Sequence, residues 1–459
     1  MSLADGRRSV GYCSCVNGTV AVAYRYAAPS ALRGDGKLHL ATSGGVTEVG
    51  PAPHPHFFAG FLAEPGPAAQ ALLATAAVAR ARYFDARALA GHAAADPVVT
   101  SNTDRLRFES FSACCGVHAR LDLPPDALDG QPRTSGTTNV DFNAPMRAAL
   151  AAAAASGSPM LLKVGEDEVT AATETTSVTE RKVDLPARWV KGFGEVQALA
   201  RHMRPVAYLA GADARRFIAS LPRTTRRPLW AVPANRTLAL STMPKPGAAC
   251  LAAPERLAEL RPLLRFASSL QVYAPPVGPA SRPAPSAWEL SLGAARFTLT
   301  LSPERHRGFS GEGALLGELA AAEPADADLV GALLAWEPVI DVTRLAGEAN
   351  LSSERTVVSL AHLAASGRVG YDLAEAGFFH RELPFAAAER DHSRLADARR
   401  LVACGAVTLA AEGAVAGGHR VTFASPHDLC TCLWWAKHQG TRGPCKHALA
   451  ARIAASGAR

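Results

Sequence analysis

The sequence predicts an α+β protein of several units: mixed α/β N-terminal regions, then a run of helices closed by a hairpin, then a small C-terminal ββα module. Three observations lead there. Short β-like runs alternate with helical ones, and no repeat recurs at a fixed period, which argues against solenoids and propellers. The 459 residues leave room for about three domains of ~150 residues. Cysteine and histidine gather near the C-terminus at a spacing that strands and a helix can deliver. The composition, 48% hydrophobic, 19% charged and 6% aromatic, is neither collagen-like nor that of a disordered chain.

Residues 1–102 read as an N-terminal α+β region. Strands over Val20–Tyr26 and Leu38–Ala41 accompany one helix, Ala68–Phe84, whose Leu72, Leu73, Ala76 and Val78 suit a buried face. Residues 103–273 read as a central α+β region. Its first part is rich in strands, at Arg105–Phe111, Gly116–Leu123, Leu161–Val164, Glu168–Thr173 and Val178–Val183, with Gly165-Glu166-Asp167 as a turn. A helix runs from Pro145 through the alanines to Ala155, and a Leu-rich helix is expected over Pro254–Phe266. Asp141 and Asn143 read as turn and cap residues. Residues 274–286 carry five prolines, which lack backbone donors and restrict their neighbours, so a linker is expected there.

Residues 287–325 read as a strand pair within Trp288–Leu301 and a helix over Ala314–Ala322. The Gly-rich Arg307–Gly313 before that helix has neither the Gly-Lys-Ser/Thr ending of a P-loop nor the Gly-x-Gly-x-x-Gly spacing, so it is a turn and not a phosphate cradle. Residues 326–384 then order as helix (Asp328–Trp336), extended piece (Pro338–Asp341), helix (Thr343–Ala349), turn (Asn350-Leu351) and a third helix (Ser353–Ser366). Ser352 caps that helix, Gly367 stops it, and a hairpin of Arg368–Asp372 and Phe378–Leu383 follows. This order resembles a winged helix-turn-helix. In DNA-binding members the third helix enters the major groove and the hairpin wing touches backbone. Here the helix starts with Ser353, Glu354, Arg355 and Thr356, and the wing sets Asp372 and Glu375 beside Arg368, His380 and Arg381. Such mixed charge favours an interaction surface over a sequence reader. Residues 385–418 read as a connecting helix and strand.

Residues 419–459 carry the strongest motif: Cys430-x-Cys432, twelve residues, then Cys445-x-His447. Zinc takes four soft or borderline ligands in a tetrahedron at ~2.0–2.3 Å, and three thiolates with one imidazole form a closed set. His419–Ala424 and Leu429–Leu433 flank Ser425–Asp428 as a hairpin, and residues two apart on a strand face one side, so Cys430 and Cys432 would point together. Cys445 would sit just before a helix over Lys446–Ala455, with His447 in its first turn. This motif resembles the SWIM zinc finger family, whose signature is Cys-x-Cys, a variable gap and Cys-x-His on two strands and a helix. The resemblance is tight over about thirty residues, and it implies Cys430, Cys432, Cys445 and His447 as ligands of one structural zinc. Leu433 stands where many members have Pro. The whole chain more loosely resembles bacterial SWIM-type proteins of unassigned function, on Phe108–Arg120 and Gly136–Asn143. Trp434 and Trp435 either stack on bases or cover a small core. His427 and His438 fall outside the signature.

Other thiols carry less. Cys13-Ser-Cys15 repeats the Cys-x-Cys spacing without a nearby Cys-x-His and reads as free thiols on a strand, with a second metal site as the alternative. Cys114 and Cys115 beside His118 read as core thiols, because neighbours on a strand point to opposite faces. Cys250 and Cys404 read as buried apolar groups. The formal charge is +7. Residues 420–459 hold six Lys and Arg against Asp428 alone, which reads as most of that excess. Lys437, Arg442 and Lys446 are candidate contacts for nucleic acid or a partner, and they also offset the −1 of three thiolates on Zn²⁺. The start, MSLADGRRSVGYCSC, has no apolar core of signal-peptide length, and no stretch reaches ~18 apolar residues, so a cytoplasmic, soluble protein is expected.

The reading of function is a non-enzymatic, zinc-binding protein whose C-terminal finger mediates nucleic-acid or protein interactions. The alternative is a protein–protein adaptor without nucleic acid; the family resemblance implies a MoxR-type AAA ATPase and von Willebrand-type modules as its context. An enzyme within 103–270 would lack paired carboxylates, a nucleophile triad and a phosphate loop.

Overall fold

The computed structural model describes residues 22–26, 29–32, 37–84, 96–165, 181–185, 187–309, 313–383, 392–424 and 427–457. Cys13 and Cys15, the expected strand Glu168–Thr173 and most of its preceding turn, the start of Val178–Val183, and the middle of the Arg307–Gly313 turn lie outside the described residues. Ser425 and Pro426 do as well. Among the described residues the α-helices are α1 (Pro65–Arg80), α2 (Ala144–Ser156), α3 (Ala187–Ala200), α4 (Gly211–Ser220), α5 (Ala314–Ala321), α6 (Pro324–Ala332), α7 (Val342–Ala349), α8 (Ser353–Ala365), α9 (Ser393–Ala403), α10 (Leu433–His438) and α11 (Lys446–Gly457). The fold is mixed α/β with several sheets.

The largest sheet has ten strands in the order Arg204–Ala210, Ser269–Ala274, Ser286–Leu292, Ala295–Leu301, Val117–Leu123, Arg105–Phe111, Val98–Asn102, Gly136–Asn139, Gly45–Thr47 and Gly50–Ala52. It crosses the boundaries expected at 102 and at 274–286. The Pro-rich stretch is a connection between two strands that pair with each other, Ser269 opposite Ser291 and Tyr273 opposite Ala287, so it does not separate units. A five-stranded sheet (Leu128–Pro132, Phe58–Leu62, Leu161–Val164, Lys37–Leu40, Ala31–Leu32) and the alanine-rich α1 pack with the large sheet around a core that includes Phe57, Phe58, Phe108, Leu121, Trp288 and Phe297. Asn143 caps α2, its side chain accepting from Met146 N at 2.9 Å, and Asp141 accepts from Asn143 Nδ2 at 2.8 Å. The helix expected over Pro254–Phe266 is a 3₁₀ helix over Pro254–Leu263; Pro262 inside it removes a donor that an α-helical ladder would need.

The other face of the large sheet is a grid of charge. Arg107 lies opposite Asp122, Glu109 opposite Arg120, and Arg296 also opposite Asp122. Alternation of charged and apolar residues on a strand ordinarily marks a solvated face. Here Arg107 and Glu109 are fully buried and Asp122 is 1% exposed, because a hairpin of Val369–Asp372 and Gly377–His380 lies over them. Asp372 reaches Arg296 at 2.9 Å, Arg120 at 3.2 Å and Arg107 at 3.6 Å. Arg381 pairs with Glu109 at 2.7 Å, and the Arg107 guanidinium stacks 3.9 Å from the centre of the Phe379 ring. Burial pushes the Asp372 carboxyl up, but the guanidinium groups of Arg120, Arg296 and Arg107 outweigh it and hold the group well below the usual carboxylate range.

The reading of Asp372 and Glu375 as charges of an interaction-surface wing is therefore corrected for Asp372, which is buried. Asp372 faces the sheet, and Glu375 is tied to Arg105 at 2.6 Å and to Arg296 at 3.5 Å. The order of elements from α6 to the hairpin does follow the sequence. Asp341 caps α7, Asn350 ends it in the left-handed region, and Ser352 caps α8. However, α8 packs against α3, α5, α6 and α7, and its Thr356, Ser359, Leu360, Ala361, Leu363, Ala364 and Ala365 are buried. Arg355, at its exposed start, is forked onto Asp326 at 2.8 and 2.7 Å.

Candidate metal centre

The C-terminal module is built on a four-stranded antiparallel sheet: Val407–Ala410, Gly413–Ala416, His419–Thr422 and Leu429–Cys430. Cys430 pairs with Val421 across the last two strands. The strand stops there, so Cys432 is not the strand neighbour expected from the Cys-x-Cys spacing. It is the N-cap of α10, its Sγ accepting from Trp435 N at 3.5 Å. Cys445 plays the same part for α11, its Sγ accepting from Ala448 N at 3.4 Å, and His447 falls in the first turn, as the spacing predicts. Two thiols thus sit at helix N-termini, where the backbone dipoles favour negative charge.

The four ligand atoms lie within 4.8 Å of one another, with Cys430 Sγ 3.9 Å from His447 Nδ1. All four residues are buried. Burial and the neighbouring thiol Cys445 push the Cys430 thiol up, and burial does the same to Cys445. Burial, with His419 and Lys446, pushes the His447 imidazole down to about 4, so this ring is neutral at pH 7. An unprotonated imidazole nitrogen among three thiols suits a single cation that displaces the thiol protons. The cluster could hold one metal ion.

The surroundings fix the ligands. The His419 ring packs on His447 with centroids 4.3 Å apart. Arg394 of α9 donates to the carbonyls of Arg442 and Pro444 at 2.9 and 2.8 Å, holding the loop that delivers Cys445. Arg452 forks onto Asp428 at 2.9 and 2.5 Å, tying α11 to the loop before Cys430. The apolar core under the cluster is shared: Leu315, Leu316 and Leu319 of α5 and Leu395 and Ala398 of α9 meet Val421, the three cysteines and Ala448–Ala451.

The candidate contact residues divide. Trp434 and Trp435 are half-buried against this core. The Arg394 guanidinium lies over the Trp434 ring, 4.4 Å from its centre, and the His438 ring is tilted against it at 4.4 Å, so part of the ring is already occupied. Lys446 lies 3.6 Å from Asp397, Arg442 is 6.0 Å from the Trp434 ring centre, and Lys437 is exposed. His427 and His438 lie outside the cluster.

Among the other thiols, Cys250 is buried and pushed up to about 11 by burial. Cys404 is exposed at the end of α9, which corrects its reading as a buried group. Cys114 and Cys115 are buried. The Cys115 thiol donates to Phe309 O at 3.0 Å, while His118 turns to Glu109 at 3.2 Å, so the imidazole is engaged with a carboxylate and not with a thiol. The charge grid and its hairpin lid were missed from sequence; the signal was the run of alternating charges in Arg105–Asp122.

No protein-family model and no curated protein matches the chain. Among solved structures, the proliferating cellular nuclear antigen of Entamoeba histolytica is similar at 11% identity and a TM-score of 0.30, covering 54% of this chain and 98% of that one. Among the described residues, no helix is long and apolar enough to cross a membrane.

Proposed function

We propose that Cys430, Cys432, Cys445 and His447 hold one structural Zn²⁺, that the C-terminal module is a SWIM-type finger, and that the protein is a non-enzymatic, cytoplasmic binding protein. The observation behind this reading is the buried set of four donors within 4.8 Å. Three sulfurs and one nitrogen are the softness that zinc selects, and four protein ligands leave no coordination position for water, so the ion staples and does not act as a Lewis acid. Cys430 at a strand end, Cys432 and Cys445 at two helix starts and His447 in a first turn would then be joined through one centre. Elemental analysis tests this: one zinc per chain is expected, lost in Cys445→Ala.

In this reading the finger's outer face, with Lys437, Arg442 and Lys446, contacts nucleic acid or a protein partner. The segment from α6 to the hairpin is a winged helix; its role as scaffold is supported by the burial of α8 and by the seating of the wing on the sheet, and an interaction surface would have to use its remaining exposed faces. An adaptor for a MoxR-type AAA ATPase is the second reading, carried by the family resemblance alone. Binding to labelled DNA and RNA across a salt series separates the two, because phosphate contacts give a steep salt dependence and a protein adaptor has no such affinity.

A further inference from the structure

Residues 201–268 carry twelve Arg and Lys against three Asp and Glu, a surplus larger than the +7 of the whole chain. Reading the C-terminal forty residues as the seat of the positive excess overlooked this stretch. Its three acids are all engaged. Glu255 pairs with Arg305 at 2.7 Å, and Glu259 accepts from the Tyr83 hydroxyl at 2.9 Å. Asp213 is shared by Arg216 and Arg236, whose side chains nonetheless stay 73% and 88% exposed. Ten of the twelve cations are exposed: Arg204, Arg215, Arg216, Arg223, Arg226, Arg227, Arg236, Lys245, Arg261 and Arg265.

Six of these cations lie on α4, the loop that follows it and the next turn. Arg215 and Arg216 lie on α4, which seats Ala214, Phe217 and Ile218 inward against the edge of the ten-stranded sheet. Arg236 stands at the turn of the Leu229–Ala234 and Thr237–Ser241 hairpin and meets α4 through Asp213. Arg223, Arg226 and Arg227 fill the loop between them. That loop is held in place: Thr225 Oγ1 accepts from Arg227 N at 3.0 Å, and Arg305 donates to Thr225 O.

We propose that α4, the loop 221–228 and the turn at Arg236 form a docking surface for the phosphate backbone of nucleic acid, distinct from the metal module. Charge complementarity carries the choice of partner. The six exposed cations of this surface, Arg215, Arg216, Arg223, Arg226, Arg227 and Arg236, are all arginine, whose planar fork matches phosphate oxygens in pairs, and they are spread over a helix, a loop and a turn as a surface that tracks a polyanion would be. A bilayer would be met by an amphipathic helix with a free apolar face, and the apolar face of α4 is already buried.

The test uses the full-length protein, a fluorescent 20-base-pair DNA duplex and the single strand of the same length, with anisotropy read across a salt series. Arg223→Ala/Arg226→Ala/Arg227→Ala alters only exposed side chains, so its thermal melt and zinc content should match the parent. Its affinity should fall by about tenfold or more at 0.1 M salt, and its log-affinity against log-salt slope by roughly 2–3, since each duplex phosphate contact contributes ~0.9. Lys437→Ala/Arg442→Ala/Lys446→Ala serves as the comparison and should change both quantities less. The proposal is overturned if the parent binds neither probe, if the loop variant binds as the parent does, or if the finger variant accounts for the loss. It is equally overturned if the loop variant abolishes binding to phosphatidylserine vesicles while leaving DNA binding intact. Zinc stoichiometry is unaffected by any of these outcomes, so the metal reading stands or falls separately.

Discussion

Replacing Asp372 by Asn removes one negative charge from the centre of the buried grid and leaves its shape. The carboxylate is 1% exposed and touches three guanidinium groups at 2.9 to 3.6 Å. Two opposite charges ~4 Å apart attract by ~4 kcal/mol at an effective dielectric of ~20, and removing one partner of a buried pair costs about 3–5 kcal/mol because the remaining charges stay desolvated. Arg107, Arg120 and Arg296 would keep Asp122 as a shared acid, with Glu289 near Arg120 and Arg296, Glu109 near Arg120 and Glu375 near Arg296. At ~2–4 °C per kcal/mol for a unit of 150–250 residues, the melting transition should fall by on the order of 10 °C, followed by near-ultraviolet circular dichroism of the buried aromatics. Glu375→Gln is the control in the same hairpin. Its side chain is 29% exposed, and a pair so close to solvent is worth about 1 kcal/mol or less. An Asp372→Asn protein that melts within about 2 °C of the parent, or a Glu375→Gln protein that loses as much, would refute the seating of the hairpin on the sheet.

Chelation or Cys445→Ala should remove the metal and, because α5 and α9 share the core of the finger, should raise amide exchange in residues 314–321 and 393–403 as well as in 407–457. Structural zinc contributes on the order of 10 kcal/mol to small modules, so protection that stayed unchanged would count against the centre. Acid should weaken the fold through His380. Burial pushes its imidazole down to about 4, so the unfolded chain takes up this proton near pH 6.5 and the native one only near 4. Stability is thus full above pH 6.5 and declines between 6.5 and 4 by up to about 3 kcal/mol; denaturant titrations at both ends of that window measure it, and His380→Asn should flatten the slope. Gly194→Ala should push α3 off α8, since an added Cβ would lie 2.3 Å from Ala365 O and 3.0 Å from Leu315 Cδ1. A loss of roughly 1–3 kcal/mol is expected in chemical denaturation, and a neutral substitution would contradict that contact.

The metal centre was legible because its information is local. Ligand identity and spacing stand in eighteen consecutive residues, from Cys430 to His447, and the helix after Cys445 follows from that spacing. The one misreading, Cys432 as a strand residue, arises because the chain turns from strand to helix between two cysteines, a change that a period of two cannot register. The cap at Ser352 and the turn at Asn350 were equally local, whereas the cap at Asp341 was read only as the end of an extended piece. The large sheet was not legible, since its neighbours come from residues as distant as Val117–Leu123 and Ala295–Leu301, and no pattern within a window names the partner of a strand. For the same reason nothing local marks Arg107, Glu109, Arg120 and Asp122 as buried; the hairpin from residues 369–380 that covers them is far away in sequence. The cations of α4 and its loop stand in the residue count of 201–268, but they follow no motif spacing that would mark them as a surface.

The shared core beneath the cysteines bears on portability. A module that carries its own apolar interior can be moved between proteins like a plug; this one has part of its socket in α5 and α9, with Leu315, Leu316, Leu319 and Leu395 supplying the opposite wall. Transplanted alone, α11 would present Ala448–Ala451 and Leu449 to water, and the parent stripped of residues 407–457 would present those leucines as a sticky stripe. Any exchange of this module for another would have to carry the side chains of α5 and α9 along with it.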